Sequence, residues 1–301
     1  MMLTVAALYE FKKHKMNEAL RVAIMECCQK YDVLGTLLLA DEGINGTIAG
    51  SQAGVDAVLV FIRECGFQSL EWKLSHAVEK PFLRLKVIWK EEIVTIGCDV
   101  DPCEIVGDYV TVNDWNDLIV RDDVLLIDTR NNYEYELGTF KGADNPDTEC
   151  FREFPRYVAN IDREKYQSVA MFCTGGIRCE KASSYMLAQG FKKVYHLKGG
   201  VLKYLEEIQE EESLWEGACF VFDRRVALGH GLKITDHIQC YACRRALTPE
   251  DAMHPDYQKG VSCRYCIHMT SEARQASFVE RQRQVEMAVS QGKEHIGQRI
   301  E

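Results

Sequence analysis

Nowhere in the sequence do about 18 apolar residues run together, so no membrane-spanning helix is expected. The apolar stretch from Met1 to Tyr9 gives way to Glu10 and the cluster Lys12, Lys13 and Lys15, which is too short for a secretory signal; a cytoplasmic location is the expectation. Positive charge is in deficit, with 36 Lys and Arg against 46 Asp and Glu and a net charge of −10. A nonspecific nucleic-acid binder carries the opposite balance, so any RNA contact must come from local basic patches. Proline is scarce at six residues and no low-complexity tract occurs, which argues against long disordered segments. The absence of an internal repeat removes solenoid and propeller architectures. No dinucleotide-binding GxGxxG, haem motif or non-haem iron triad is recognisable, so the usual redox cofactors have no evident seat and the sequence names no electron donor.

What is present points to several domains. A chain of 301 residues exceeds the roughly 100–200 residues of one domain. Thirteen cysteines, an odd number in a long chain, fit reduced thiols acting as metal ligands, nucleophiles or small core residues rather than a disulfide scaffold.

Residues 1–100 read as β-α-β-β-α-β, a ferredoxin-like (acylphosphatase-like) α+β domain. Its strands are expected at Leu3 to Leu8, on either side of Asp41-Glu42-Gly43-Ile44-Asn45-Gly46, whose Asn-Gly pair is a hairpin signal, and at Phe82 to Ile88. Helices are expected over Met16 to Lys30 and after Ser51, the latter burying Val55, Val58, Leu59 and Ile62 and ending at Gly66. The sheet face away from the helices is expected to be open and to carry Arg84 and Lys86, as a phosphate-binding or simply a solvated surface.

Residues 101–215 alternate strands (Val124 to Asp128, Val169 to Cys173, Val194 to Leu197) with helices such as Cys179 to Gln189, the pattern of a doubly wound α/β domain. An acidic stretch, Glu206 to Glu216, reads as a helix end plus linker. Residues 216–301 contain a short strand at Cys219 to Phe222, a cysteine knuckle and a helical tail from Ser271 to Gln291.

The segment VAMFCTGGIRCEKASSYML puts Cys173 where a strand ends, followed by Thr174, Gly175, Gly176, Ile177 and Arg178 and then a helix. Loop amides, a helix N-terminus and an arginine all favour a thiolate over a thiol, so Cys173 reads as a reachable nucleophile rather than a small residue closing a core strand. Arg178 is expected to hold a phosphate or oxyanion, or to act on the thiolate electrostatically. Cys179 is either a core residue or a resolving thiol. Asp128, Arg130 and Glu134 read as scaffold polar groups, with direct substrate contact as the other reading. The loop is one residue shorter than that of cysteine phosphatases of similar fold, which argues against phosphatase chemistry.

Cys240-x-x-Cys243 and Cys263-x-x-Cys266, nineteen residues apart, match a zinc ribbon. Four thiolates close a tetrahedral shell, so a structural zinc is expected, with free or redox-active thiols as the other reading.

The loop, with LLIDTRNNYEYELGTFKGA before it and HLKGGVLKYLEE after it, resembles a rhodanese domain over most of Val110 to Glu207. More narrowly, CTGGIRCEKASSYM, FREFP at Phe151 to Pro155, ESLWEGACFVFDRRV and ADEGINGTIAG resemble the bacterial tRNA uridine hydroxylase family over nearly the full length. That resemblance implies oxygen-dependent formation of 5-hydroxyuridine at the tRNA wobble position with Cys173 essential. Asp144 departs from the family's usual apolar residue before Asn-Pro. Addition of Cys173 to C6 of uracil would make C5 electron-rich enough to meet dioxygen. An unstacked anticodon loop would need basic and aromatic contacts, for which Arg84, Lys86, Arg152, Arg156, Arg244, Arg245 and Arg264 are the candidates. The competing functions are a sulfurtransferase with a Cys173 persulfide and a noncatalytic rhodanese-like adaptor. Oligomeric state is left open.

Overall fold

The structure, a computed structural model, describes residues 2–15 and 17–292. Over the described residues the chain divides into two compact units, one running to Phe220 together with Leu228–Lys233, the other formed by Val221–Ala227 and residues 234–292.

The first unit opens with β1 (Leu3–Phe11), α1 (Glu18–Lys30), β2 (Leu34–Ala40), β3 (Gly43–Gly50), α2 (Gln52–Glu64), β4 (Glu71–Ala77) and β5 (Leu85–Trp89). Strand order is β4-β1-β3-β2-β5, with β5 parallel to β2 and the other pairs antiparallel. The β-α-β-β-α-β circuit therefore closes on β4, which is too polar to stand out as an apolar run. The strand expected at Phe82 to Ile88 exists as β5, an additional edge strand.

Side chains at both helix starts satisfy backbone amides: Asn17 accepts from Leu20 N and Ser51 from Gly54 N. Met16, expected in the first helix, lies outside the described residues. Val55, Val58, Leu59 and Ile62 are buried on α2, as their spacing requires. The Asn45-Gly46 pair is not in the hairpin turn, which is Asp41-Glu42; it sits inside β3. A Cβ on Gly46 would fall 2.1 Å from Thr36 O, so this glycine serves close strand approach.

The unit continues through β6 (Asp108–Val110), α3 (Val112–Ile119), β7 (Val124–Asp128), α4 (Asn132–Tyr135), β8 (Gly138–Phe140), α5 (Phe154–Val158), β9 (Ser168–Phe172), α6 (Ile177–Ala188), β10 (Val194–Leu197), α7 (Gly200–Glu207), β11 (Trp215–Gly217) and β12 (Cys219–Phe220); of the two residues of β13 (Ala227–Leu228) only Leu228 belongs to it. Parallel strands in the order β6-β10-β9-β7 form its sheet. Every residue of β9 is buried, consistent with its apolar run from Val169 to Phe172. Phe172, its last residue, is packed edge-on by Phe140, Trp115 and Trp215 at centroid distances of 4.8, 6.5 and 6.2 Å. That cluster holds the strand end from which Cys173 emerges.

The acidic stretch ends in structure rather than in linker: β11 pairs antiparallel with β8, Trp215 opposite Phe140, and spans the expected 215/216 boundary. The strand expected at Cys219 to Phe222 stops at Phe220, and Phe222 is exposed.

In the second unit β14 (Ile238–Gln239) pairs with β15 (Ala246–Leu247), followed by α8 (Pro249–Met253) and α9 (Glu272–Ser290). Arg281 on α9 donates to Tyr241 O and Gly260 O at 2.9 and 2.7 Å, tying the helix to the knuckle.

Candidate active site and four-cysteine cluster

Cys173 sits at the C-terminal end of β9, and Gly176 N donates to its sulfur at 3.1 Å. Gly176 has φ +103 and begins the turn into α6. The loop carbonyls are not idle: Cys173 O accepts from Val201 N and Thr174 O from Leu202 N, so the start of α7 clamps the loop. A Cβ on Gly200, whose φ is +68, would lie 2.5 Å from Cys173 O, so the clamp needs glycine there.

Electrostatics support the thiolate. Burial by itself would raise the Cys173 pKa, but the Cys179 thiol hydrogen bond, the Arg178 guanidinium and the amides of Cys179 and Gly176 outweigh it and hold the group below the ordinary thiol value. Cys179 shifts the other way, raised by burial and by its donation to Cys173. It is fully buried, 3.5 Å from Thr129 Oγ1.

Two expectations need correction. Cys173 is 1% exposed rather than reachable from solvent. Arg178 does not point to an open anion site: its terminal nitrogens donate to both oxygens of Glu134 at 2.7 and 2.8 Å. Glu134 is wholly buried, and burial, which would raise its pKa, is overcome by Arg178, so it stays a carboxylate. Glu134 also accepts from Thr174 Oγ1. The pair is thus a charged brace under the loop, and Glu134 Oε2 is further fixed by accepting from Asn131 N at 3.2 Å. Asp128 and Arg130 form a second buried pair, Nε and Nη2 reaching both carboxylate oxygens at 2.9 and 2.6 Å. Asp144 accepts from Tyr157 Oη, which gives the unexpected polar residue a partner.

The covering comes from the N-terminal sheet, whose supposedly open face lies over the loop. Lys73 Nζ donates to Gly175 O at 2.7 Å, and Tyr9 Oη donates to Glu180 at 2.9 Å. Tyr109 donates to the other Glu180 oxygen at 2.8 Å. Lys181, almost fully buried, reaches Glu42 in the β2–β3 turn at 2.7 Å and Glu92 at 2.6 Å. Tyr9, Lys73, Glu180 and Lys181 were not found from the sequence; the polar alternation of β4 was the available signal for Lys73.

The candidate RNA contacts fall in three places. Arg84 and Lys86 are exposed at the edge of the N-terminal sheet, Arg152 is exposed in the 3-10 turn before α5 and Arg156 is exposed on α5. Arg244, Arg245 and Arg264 decorate the knuckle, where Arg245 and Arg264 stack on Tyr265 and Arg264 also pairs with Asp251 at 2.9 Å.

The sulfurs of Cys240, Cys243, Cys263 and Cys266 all lie within 4.8 Å of one another. The pairs 240–266, 243–263 and 263–266 are 3.9, 3.7 and 3.7 Å apart. A tetrahedral ion with sulfur ligands at about 2.3 Å requires edges of roughly 3.8 Å, so the set fits a metal ion.

These features define a rhodanese-class cysteine protein with an acylphosphatase-like domain laid over its loop. Residues 3–93 match the UPF0176 acylphosphatase like domain and residues 111–207 the Rhodanese-like domain. The tRNA uridine(34) hydroxylase of Agrobacterium fabrum (strain C58) is 55% identical over 296 residues, covering 97% of this chain and 94% of the relative. Proteins of the same name from Acinetobacter baumannii (strain AYE) and Acinetobacter baylyi are 52% and 51% identical, each covering 94% of this chain and 91% of the relative. The chain belongs to the tRNA uridine(34) hydroxylase family.

Proposed function

We propose that this chain hydroxylates the wobble uridine of tRNA to 5-hydroxyuridine with dioxygen, using the Cys173 thiolate. The observation that carries the reading is an intact, thiolate-favouring Cys173 loop in a chain that matches relatives of that name over nearly its whole length. Neither the sulfurtransferase nor the adaptor reading draws support from those names.

In the proposed chemistry the Cys173 sulfur adds to C6, C5 bonds one oxygen of dioxygen, reduction by two electrons cleaves the O–O bond so that the second oxygen leaves as water, and loss of the C5 proton together with the sulfur restores the ring. Those two electrons come from a donor other than this chain's known groups. Arg178, held by Glu134, acts on the thiolate through its charge rather than by binding a phosphate. Because Tyr9 and Lys73 cover the loop, an unstacked uridine enters as the N-terminal sheet and the loop separate. Arg84, Lys86, Arg152, Arg156, Arg244, Arg245 and Arg264 are the proposed contacts for the anticodon loop, each weakening binding and reducing its salt dependence when removed. Cys240, Cys243, Cys263 and Cys266 would hold a structural zinc, which stabilises a segment with few apolar residues.

The test is nucleoside analysis of tRNA incubated with the purified chain, a reductant and labelled dioxygen. Label should appear in 5-hydroxyuridine with the native chain and not with Cys173→Ser. Incorporation of sulfur instead of oxygen, or full activity in Cys173→Ser, would overturn the reading.

A further inference from the structure

Strand β4 does more than close a topology. Trp72 and Leu74 pack into the helix-side core, so Lys73 between them projects from the opposite face, the one lying over the Cys173 loop. Lys73 Nζ meets Gly175 O at 2.7 Å and stands 5.6 Å from the centre of the Tyr9 ring. The Tyr9 hydroxyl is 3.1 Å from where a Cβ on Gly176 would be. One sheet thus sends a cation and a phenol onto the two glycines whose turn presents an amide to the Cys173 sulfur.

Among the described residues Lys73 makes no ion pair with a carboxylate, whereas Arg178 is committed to Glu134 through both terminal nitrogens. The charged and titratable groups facing Lys73 and Cys173 are Glu71 from β4, Arg178, Cys179 and Glu180 from α6, and Lys203 from α7, with Tyr9 from β1. Burial lowers the Lys73 pKa, while Glu71, the Cys173 thiolate and Glu180 pull it up and Lys203 lowers it further. An ammonium and a thiolate that share so little water attract each other more strongly than they would in bulk solvent.

We propose that Lys73 is a further active-site residue, supplied by the N-terminal domain, whose ammonium stabilises the Cys173 thiolate and then the enolate oxygen of the uracil to which that sulfur adds. The second half rests on the function proposed above. In that step a bond forms between sulfur and C6, and the C5–C6 π pair shifts through C5 and C4 onto O4. Negative charge passes from sulfur to O4, and no electron is gained or lost. Lys73, held on Gly175 O when the sheet lies over the loop, meets the displaced charge once the sheet has closed again over the bound base.

Lys73→Gln retains an N–H donor for Gly175 O and removes the charge; Lys73→Arg retains the charge. The full chain is treated with iodoacetamide from about pH 5 to 9 and modification of the Cys173 peptide is followed by mass spectrometry. Lys73→Gln should move the midpoint upward by about one pH unit while Lys73→Arg leaves it near the native value. In the tRNA assay Lys73→Gln should lower kcat at least about tenfold with KM within about threefold, and Lys73→Arg should restore most of kcat. Lys73→Met, of similar stem length, replaces Lys73→Gln if the latter lacks a cooperative melt. An unchanged midpoint in a folded, charge-free variant overturns the proposal, as does an equal loss of kcat in Lys73→Gln and Lys73→Arg. The alkylation contains no tRNA. A shifted midpoint with no hydroxylation by the native chain therefore sinks the uridine reading alone, and native hydroxylation with an unshifted midpoint sinks the Lys73 reading alone.

Discussion

At the residue scale, buried charges under and beside the loop explain both its stability and its pH behaviour. Glu134 has no solvent contact and answers Arg178 bidentately, so removing the carboxylate would strand a buried guanidinium. Glu134→Gln should cost about 3–5 kcal/mol, read as a lower urea midpoint; a loss below about 1 kcal/mol would mean the arginine finds water. Glu180 shifts the other way. Burial, assisted by Glu71 and Cys173 and opposed by the Tyr109 and Tyr9 hydrogen bonds, raises its pKa from 4.5 to about 7. The folded chain therefore holds a proton that the unfolded chain releases first. Its contribution to stability is complete below about pH 4.5 and disappears as pH rises through about 7. Glu180→Gln should flatten that part of the stability curve, and an unaltered slope in the variant would assign the pH dependence elsewhere. Cys173 was found from its neighbours along the chain, since glycine, arginine and helix start are all local. Lys73 and Tyr9 were not, because their relation to the loop spans 102 residues for Lys73 and 171 between Tyr9 and Glu180.

At the element scale, α6 serves two masters. Its first turn supplies Arg178 and Cys179 to the sulfur, while Glu180 and Lys181 on the same turn hold the N-terminal sheet and the β2–β3 turn. Glu42 and Glu92 keep other donors, Ile93 N for the former and Ile96 N and Gly97 N for the latter. Lys181→Met should therefore cost about 1–3 kcal/mol and leave the fold intact. The informative readout is access: Cys173 alkylation should accelerate as this tie is lost, and an unchanged rate would show that the Lys181 contacts do not limit entry to the loop. Elements with strong local patterns were legible in the sequence. α2 buried its predicted residues, and β7 and β10 appear with their expected ends. β4 shows no apolar run because its loop-facing residues are polar, and the Asn45-Gly46 pair, by itself a turn signal, answers to the close approach of β2 instead.

At the scale of the whole molecule, the two compact units rest on different sources of stability. The first buries extensive apolar clusters from both sheets, whereas the knuckle core consists largely of its own cysteines with Leu247. A small segment of that kind is expected to gain its cohesion from a metal ion held by the four sulfurs. Stripping zinc with a strong chelator should release metal in proportion to chain and expose residues 234–292 to protease while the first unit stays resistant. Simultaneous loss of both units, or protection of the knuckle without metal, would contradict a zinc-dependent second unit. No helix among the described residues is long and apolar enough to cross a membrane.

Periodicity, turn residues and cysteine spacing are local properties, and they were enough to determine the α/β architecture, the strand-loop-helix around Cys173 and the clustering of the four knuckle cysteines. Burial and charge pairing depend on which surfaces meet, and no stretch of sequence encodes that by itself. Only the tertiary structure decided that Arg178 is spent on Glu134, that the N-terminal sheet covers the sulfur, and that a lysine from β4 stands over the loop.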